Sequence, residues 1–377
     1  MRTHRVVVSL VLAAAGLAAG CSSSTPASAP AFPPPPYAHQ GPHAVGVATL
    51  DLGSAGPVLG ERLATVFYPA DAARLTGHPR FSYTEASTLP TALQGILPAR
   101  YDTTTTVDAY VGPPASTGGP FPIVLFSHGY GGERLYYSHL LAGIASWGYV
   151  VVSADYLERG LAAQALKSTA APSAAQDSAI MQASLTAVEQ ASSGSGSPLS
   201  GVADPERVAA VGHSAGGGTA FDALDSPAVA TAVGWAPVAP AGTPSDKPVM
   251  LIGSEGDTVV PPARVRTTYR SFRGPKALVE ISGEGHNSYT DICTGIRSGG
   301  GLISYAVHAG FVSPGLARLG INGCQAGNPA PDRFWPIVQF YTVFQLEDRL
   351  GGHHLGAVPS PAPGQFPGFH VTVTQSA

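Results

Sequence analysis

Apolar and polar positions follow one another along this chain in blocks whose period changes. Residues 122–127 form a continuous apolar run, the pattern of a strand buried on both faces. Residues 136–147 follow with helical spacing, and 149–153 are again apolar and β-branched. Residues 178–191 place Ile180, Met181, Leu185 and Val188 on one helical face. The alternation continues: a strand at 208–211, a helix at 215–224, strands at 229–235, 249–252 and 277–281 with a helix between the last two, and a closing helix at 335–346. Two earlier runs, 45–50 and 63–68, read as strands. Strands alternating with helices predict an α/β fold, a mainly parallel sheet with helices on both faces and no large cap domain.

The two ends break this pattern. Arg2 and Arg5 precede an apolar run at 6–19, then Ala18, Ala19, Gly20 and Cys21. That run is short for a membrane span and reads as a signal peptide over residues 1–20. Residues 21–42 are rich in Ser, Pro and Ala and read as an extended tether. The folded domain is placed at 43–350. Residues 351–377, rich in Gly and Pro, are expected to form a weakly ordered tail, apart from a late strand at 369–373.

Composition narrows the class. Hydrophobic residues make up 44% of the chain, enough for a large core, while charged residues are 12%, about half the usual share. The net charge is −4, and no Lys/Arg cluster suggests a nucleic-acid partner.

The chemistry centres on Gly212-His213-Ser214-Ala215-Gly216. Gly-x-Ser-x-Gly between a strand and a helix is the arrangement of a nucleophile elbow, which exposes a serine hydroxyl on a sharp turn. A serine needs a base, and the base needs an orienting acid, in the chain order Ser, acid, His. Asp257 and His286 each follow a strand's carboxyl end, where open α/β sheets place their sites. Glu255 is an alternative acid. Asp155 reads as structural, and His128, His139 and His213 as packing. His353 and His354 lack partners for a metal site. The developing oxyanion requires donors, for which the backbone N–H groups of Ala215 and Tyr130 are the candidates. No metal or organic cofactor is implied.

Three further residues concern export. The small residues before Cys21 resemble a bacterial lipobox, in which the cysteine carries a diacylglycerol that anchors the protein to a membrane. Ala18 stands three before Cys21, where Leu is commoner. The alternative is an ordinary secreted protein. If Cys21 is acylated, Cys293 and Cys324 are the one possible intramolecular pair in an oxidising compartment, or else two free thiols.

Phe126-Ser127-His128-Gly129 together with Gly212-His213-Ser214-Ala215-Gly216-Gly217 resembles the dienelactone-hydrolase and platelet-activating-factor-acetylhydrolase branch of the α/β-hydrolases, and also the cutinase-like polyester hydrolases. The likeness spans roughly residues 60 to 290 and includes Val66-Phe67-Tyr68-Pro69. Two departures stand out. Val238, not Trp, follows Ala236-Pro237, and the nucleophile is Ser rather than the Cys of the dienelactone enzymes. The resemblance implies a carboxylic-ester hydrolase acting on a small-molecule, lipid or polymer ester. An acyltransferase with the same triad is the alternative, and a non-catalytic surface-binding lipoprotein is a third reading. Only residues 236–247, broken by Pro237, Pro240, Gly242 and Pro244, separate two central strands, so no cap fits there. The site is therefore expected to be a shallow cleft, with residues 287–328 the one segment able to fold over it.

Overall fold

The computed structural model describes residues 35–376. The expected signal peptide and Cys21 lie outside the described residues, as does the tether up to residue 34.

Among the described residues one eleven-stranded sheet organises the fold. Its strands are β1 (Ala44–Ser54), β2 (Glu61–Ala70), β3 (Arg80–Thr84), β4 (Thr104–Val111), β5 (Phe121–Ser127), β6 (Val150–Ala154), β7 (Ala203–His213), β8 (Val229–Trp235), β9 (Val249–Ser254), β10 (Lys276–Ile281) and β11 (Val371–Ser376). They lie in the order β11-β10-β9-β8-β7-β5-β6-β2-β1-β4-β3. The six strands from β6 across to β10 are mutually parallel. Antiparallel pairs close both sides, β2 on β6 and β11 on β10.

The period-2 rule sorts each central strand onto two cores. Val124 and Phe126 of β5 and Ala209 and Val211 of β7 face one side. Ile123, Leu125, Val208 and Ala210 face the other. Helices α1 (Ser138–Ala145) and α9 (Pro331–Leu350) cover the first face. Helices α3 (Ala174–Ser193), α4 (Ala215–Asp222) and α5 (Pro262–Ser271) cover the second. α2 (Leu161–Leu166) is a short turn between β6 and α3. Burial on both faces explains why these strands read as unbroken apolar runs. No helix among the described residues is long and apolar enough to cross a membrane.

Three features depart from the sequence reading. β3 and β4 occupy a stretch whose sequence pattern predicts no strand, because only Val107 and Ala109 of β4 are fully buried and the polar edge hides the pattern. The tail after Leu350 carries the expected late strand, shifted to 371–376, but as part of the main sheet rather than outside the 43–350 domain. Val371–Ser376 pairs with β10 from Ile281↔Val371 to Lys276↔Ser376 and covers what would be an open sheet edge. Finally, the segment between β10 and α9 folds into three short helices, α6 (Ile292–Arg297), α7 (Leu302–His308) and α8 (Pro314–Gly320). Cys293 on α6 is disulfide-bonded to Cys324 just past α8, across 31 residues of sequence.

Candidate active site

The elbow at the end of β7 is forced by close packing. A Cβ on Gly212 would lie 2.0 Å from the Gly216 carbonyl oxygen, and one on Gly216 would lie 1.9 Å from that of Ser127. Both approaches are far inside van der Waals contact, so only glycine fits at either position. Between them Ser214 adopts φ 57°, ψ −118°, a backbone region that costs about 1–3 kcal/mol unless its surroundings hold it there. The Ser214 N–H donates to the Trp235 carbonyl at 2.9 Å, tying the strained turn to β8.

Ser214, His286 and Asp257 come together from three loops. The Ser214 hydroxyl is 2.9 Å from His286 Nε2, and His286 Nδ1 is 2.8 Å from Asp257 Oδ2. Asp257 is almost fully buried, and its Oδ1 accepts N–H donations from Val259 and Val260, each at 2.8 Å. Those bonds satisfy and orient the carboxylate. Glu255 is exposed and does not reach His286. Asp155 pairs instead with Arg134 at 2.9 Å. Among the described residues the N–H groups of Ala215 and Tyr130 make no hydrogen bond within the protein, while the Tyr130 ring is exposed and its hydroxyl accepts from Gln164 at 2.9 Å.

Sequence reasoning gives no role in this site to three of its residues. The first is Asn322. Its side-chain oxygen accepts from the His286 N–H at 2.8 Å and from the Thr258 N–H at 3.1 Å. Its amide donates to the Gly256 carbonyl at 3.2 Å, and its own carbonyl accepts from Asn287 at 2.7 Å. One side chain thus bridges the loops that carry Asp257 and His286.

The other two are Tyr137 and His213. His213 Nε2 lies 2.9 Å from the His286 carbonyl, which can only accept, so this nitrogen carries the proton. Burial first, then the neighbouring His286, holds the ring well below the usual histidine range, and it stays neutral. Its Nδ1 is therefore an acceptor, and takes the Tyr137 hydroxyl at 2.8 Å. The Tyr137 oxygen in turn accepts the Gly129 N–H at 3.3 Å. This chain links the loop of Gly129 and Tyr130 to the elbow and to the backbone of His286. His213, which reads as packing in the sequence, instead bonds through both ring nitrogens beside the cleft that Ser214 lines.

His128 is also structural. Its Nδ1 bonds the Gly129 carbonyl at 2.8 Å and its Nε2 accepts from the Tyr156 N–H at 3.0 Å. Burial and then Arg159 pull it down to about 3.

Ser214 and His286 open into a cleft of about 400 Å³. α6, α7 and α8 form one wall with Ile292, Ile296, Leu302, Ile303 and Leu319, so the cleft is a mainly apolar groove walled on one side rather than a shallow dish. As expected, residues 236–248 between β8 and β9 contribute no helix above the site.

The elbow, the strand order and the placement of these loops define an α/β-hydrolase fold. The chlorophyllase family matches residues 97–244 of the chain, less than half of its 377 residues. That match includes Ser214 and ends before Asp257. Among solved structures, the ferulic acid esterase from Streptomyces cinnamoneus aligns with a TM-score of 0.60 at 20% identity, over 89% of this chain and 96% of that one. At this identity the likeness is one of fold. No curated protein sequence matches the chain.

Proposed function

We propose that the protein is a serine carboxylic-ester hydrolase that works through an acyl-enzyme outside the cytoplasm. The observation that carries this reading is the hydrogen-bonded line Ser214–His286–Asp257 on a strained elbow. His286 takes the proton of Ser214 as the hydroxyl oxygen attacks the ester carbonyl carbon. Asp257 holds Nδ1 protonated and stabilises the imidazolium that forms. The N–H groups of Ala215 and Tyr130 receive the oxyanion, each donor being worth about 3–4 kcal/mol in such sites. His286 returns the proton to the leaving alcohol. A water activated by the same nitrogen then clears the acyl group from Ser214.

The disulfide suits an oxidising compartment. With it goes the proposal that residues 1–20 are cleaved and that Cys21 carries a lipid anchor. A mass spectrum of the mature N-terminus tests this, since an unacylated Cys21 on a soluble wild-type protein removes the anchor from the account.

The test of the reaction type is product analysis with p-nitrophenyl acetate in the presence and absence of a short acceptor alcohol. Free acetate as the main product in both cases is expected. Near-quantitative transfer to the alcohol would make the protein an acyltransferase with the same triad.

A further inference from the structure

The cleft that contains Ser214 is lined mainly by apolar side chains, with Gln164, Asn287 and Thr290 among its polar ones and a single carboxyl group, that of Glu85. Glu85 follows β3, far from the triad in sequence, and is 5% exposed. Its surroundings are built around it. Gly295 and Gly301 pack on one carboxyl oxygen, where an added Cβ would come within 3.3 and 3.6 Å of Oε1. The Leu302 N–H, at the start of α7, is directed at the carboxyl group. The polar atoms on the other side are accounted for as well. The Thr88 hydroxyl spends its proton on the Glu85 carbonyl at 2.7 Å. The Tyr136 hydroxyl lies 3.1 Å from Thr88 Oγ1 and 3.5 Å from Glu85 Oε2. Tyr136 thus donates to Oε2 only over a long 3.5 Å, a weak bond. Oε2 holds this one long bond and, as a carboxyl oxygen, has capacity to accept another, in a cleft with no second carboxyl group in its lining.

Taking the ester-hydrolase reading as its basis, we propose that Glu85 is a specificity-determining residue, an acceptor that receives a neutral hydroxyl group carried by the apolar part of the substrate ester. The chemistry favours hydroxyl over ammonium. Burial first, and then the nearby carboxylates of Asp102 and Asp291, oppose the ionisation of Glu85, so the site suits a neutral donor better than a cation. Asp102 is occupied by the Ala86 N–H at 2.8 Å, and Asp291 by the Tyr83 hydroxyl at 3.1 Å and by His139. Glu85 is the member of this group that lines the cleft.

A buried acceptor left without its donor discriminates strongly, because the analogue lacking the hydroxyl desolvates the acceptor without replacing its bond. The test compares kcat/KM of the wild-type protein on p-nitrophenyl esters of straight-chain acids of increasing length that end in methyl, hydroxyl, methoxy or ammonium groups. At one chain length the hydroxyl ester should exceed both the methyl and methoxy esters by on the order of tenfold to a hundredfold. In Glu85→Leu that ratio should fall to near one, and in Glu85→Gln it should fall partway. A change in folding alone would scale all four esters together and leave the ratio intact. Equal wild-type rates on hydroxyl and methyl esters at every length would overturn the assignment while leaving the hydrolase reading standing, and so would a preference for ammonium. No turnover of any ester, p-nitrophenyl acetate included, would instead remove the hydrolase reading.

Discussion

The side-chain oxygen of Asn322 accepts the backbone N–H of His286 at 2.8 Å. Because the same oxygen also takes the Thr258 N–H, Asn322 sets the position of His286 relative to Asp257. Losing a buried hydrogen bond of this kind costs about 1–3 kcal/mol, or about five- to 150-fold in rate if the loss falls on the transition state. Asn322→Ala should therefore lower kcat by about that factor while KM changes little. Asn322→Asp keeps the acceptor and should retain more activity than Asn322→Ala. Steady-state kinetics of both variants check the prediction, and equal losses would contradict it.

Tyr137 tests the second link. Tyr137→Phe removes the donor to His213 Nδ1 and the acceptor for Gly129. The ring keeps its packing against Phe126 and Trp235, so the fold should survive. Loss of the link loosens the loop that presents the Tyr130 N–H, and kcat should fall by about tenfold with KM nearly constant. Unchanged kcat would show that the loop holds its geometry without Tyr137.

The disulfide closes the segment that carries both Asn322 and the helical wall of the cleft. A loop of 31 residues gives roughly 3–4 kcal/mol of stabilisation in the chain-entropy model. Reduction, or Cys293→Ser with Cys324→Ser, should lower the thermal midpoint, with activity lost below the temperature of global unfolding. Calorimetry and residual-activity curves measured together decide this.

Glu85 makes stability depend on pH. Burial raises its pKa from 4.5 to about 7, opposed by bonds from Leu302 and Tyr136. The folded protein thus holds this proton more tightly than the unfolded chain. The resulting stabilisation is complete below the unfolded value near 4.5 and is lost as pH rises through about 7. Glu85→Gln keeps an acceptor for Leu302 and does not titrate. Relative to that variant, the wild-type protein should lose stability between pH 5 and 8, by on the order of 3 kcal/mol. Denaturant midpoints at several pH values read this difference, and parallel curves for the two proteins would contradict it.

How much was legible in the sequence depended on whether a feature is local. Gly212 and Gly216 are visible because the elbow's crowding is written within five residues. Asp257 and His286 could be located because each directly follows an apolar strand. Asn322 could not be: it lies in a loop between short helices and acts on His286 through folding of the intervening chain. Glu85 and Tyr137 enter the site in the same tertiary way. β11 shows a different limit. Val371, Val373 and their polar neighbours alternate as an edge strand should, but six residues after a Gly/Pro-rich stretch carry a weak periodic signal. The strand forms because β10 offers it an unpaired edge.

The central claim is that Ser214 is a nucleophile activated by His286. Its most direct measurement is reaction with a fluorophosphonate, followed by intact mass and peptide mapping. The account predicts a single adduct, located on Ser214, absent in Ser214→Ala and formed much more slowly in His286→Ala. An adduct on another residue, or none on a folded wild-type protein, would contradict it.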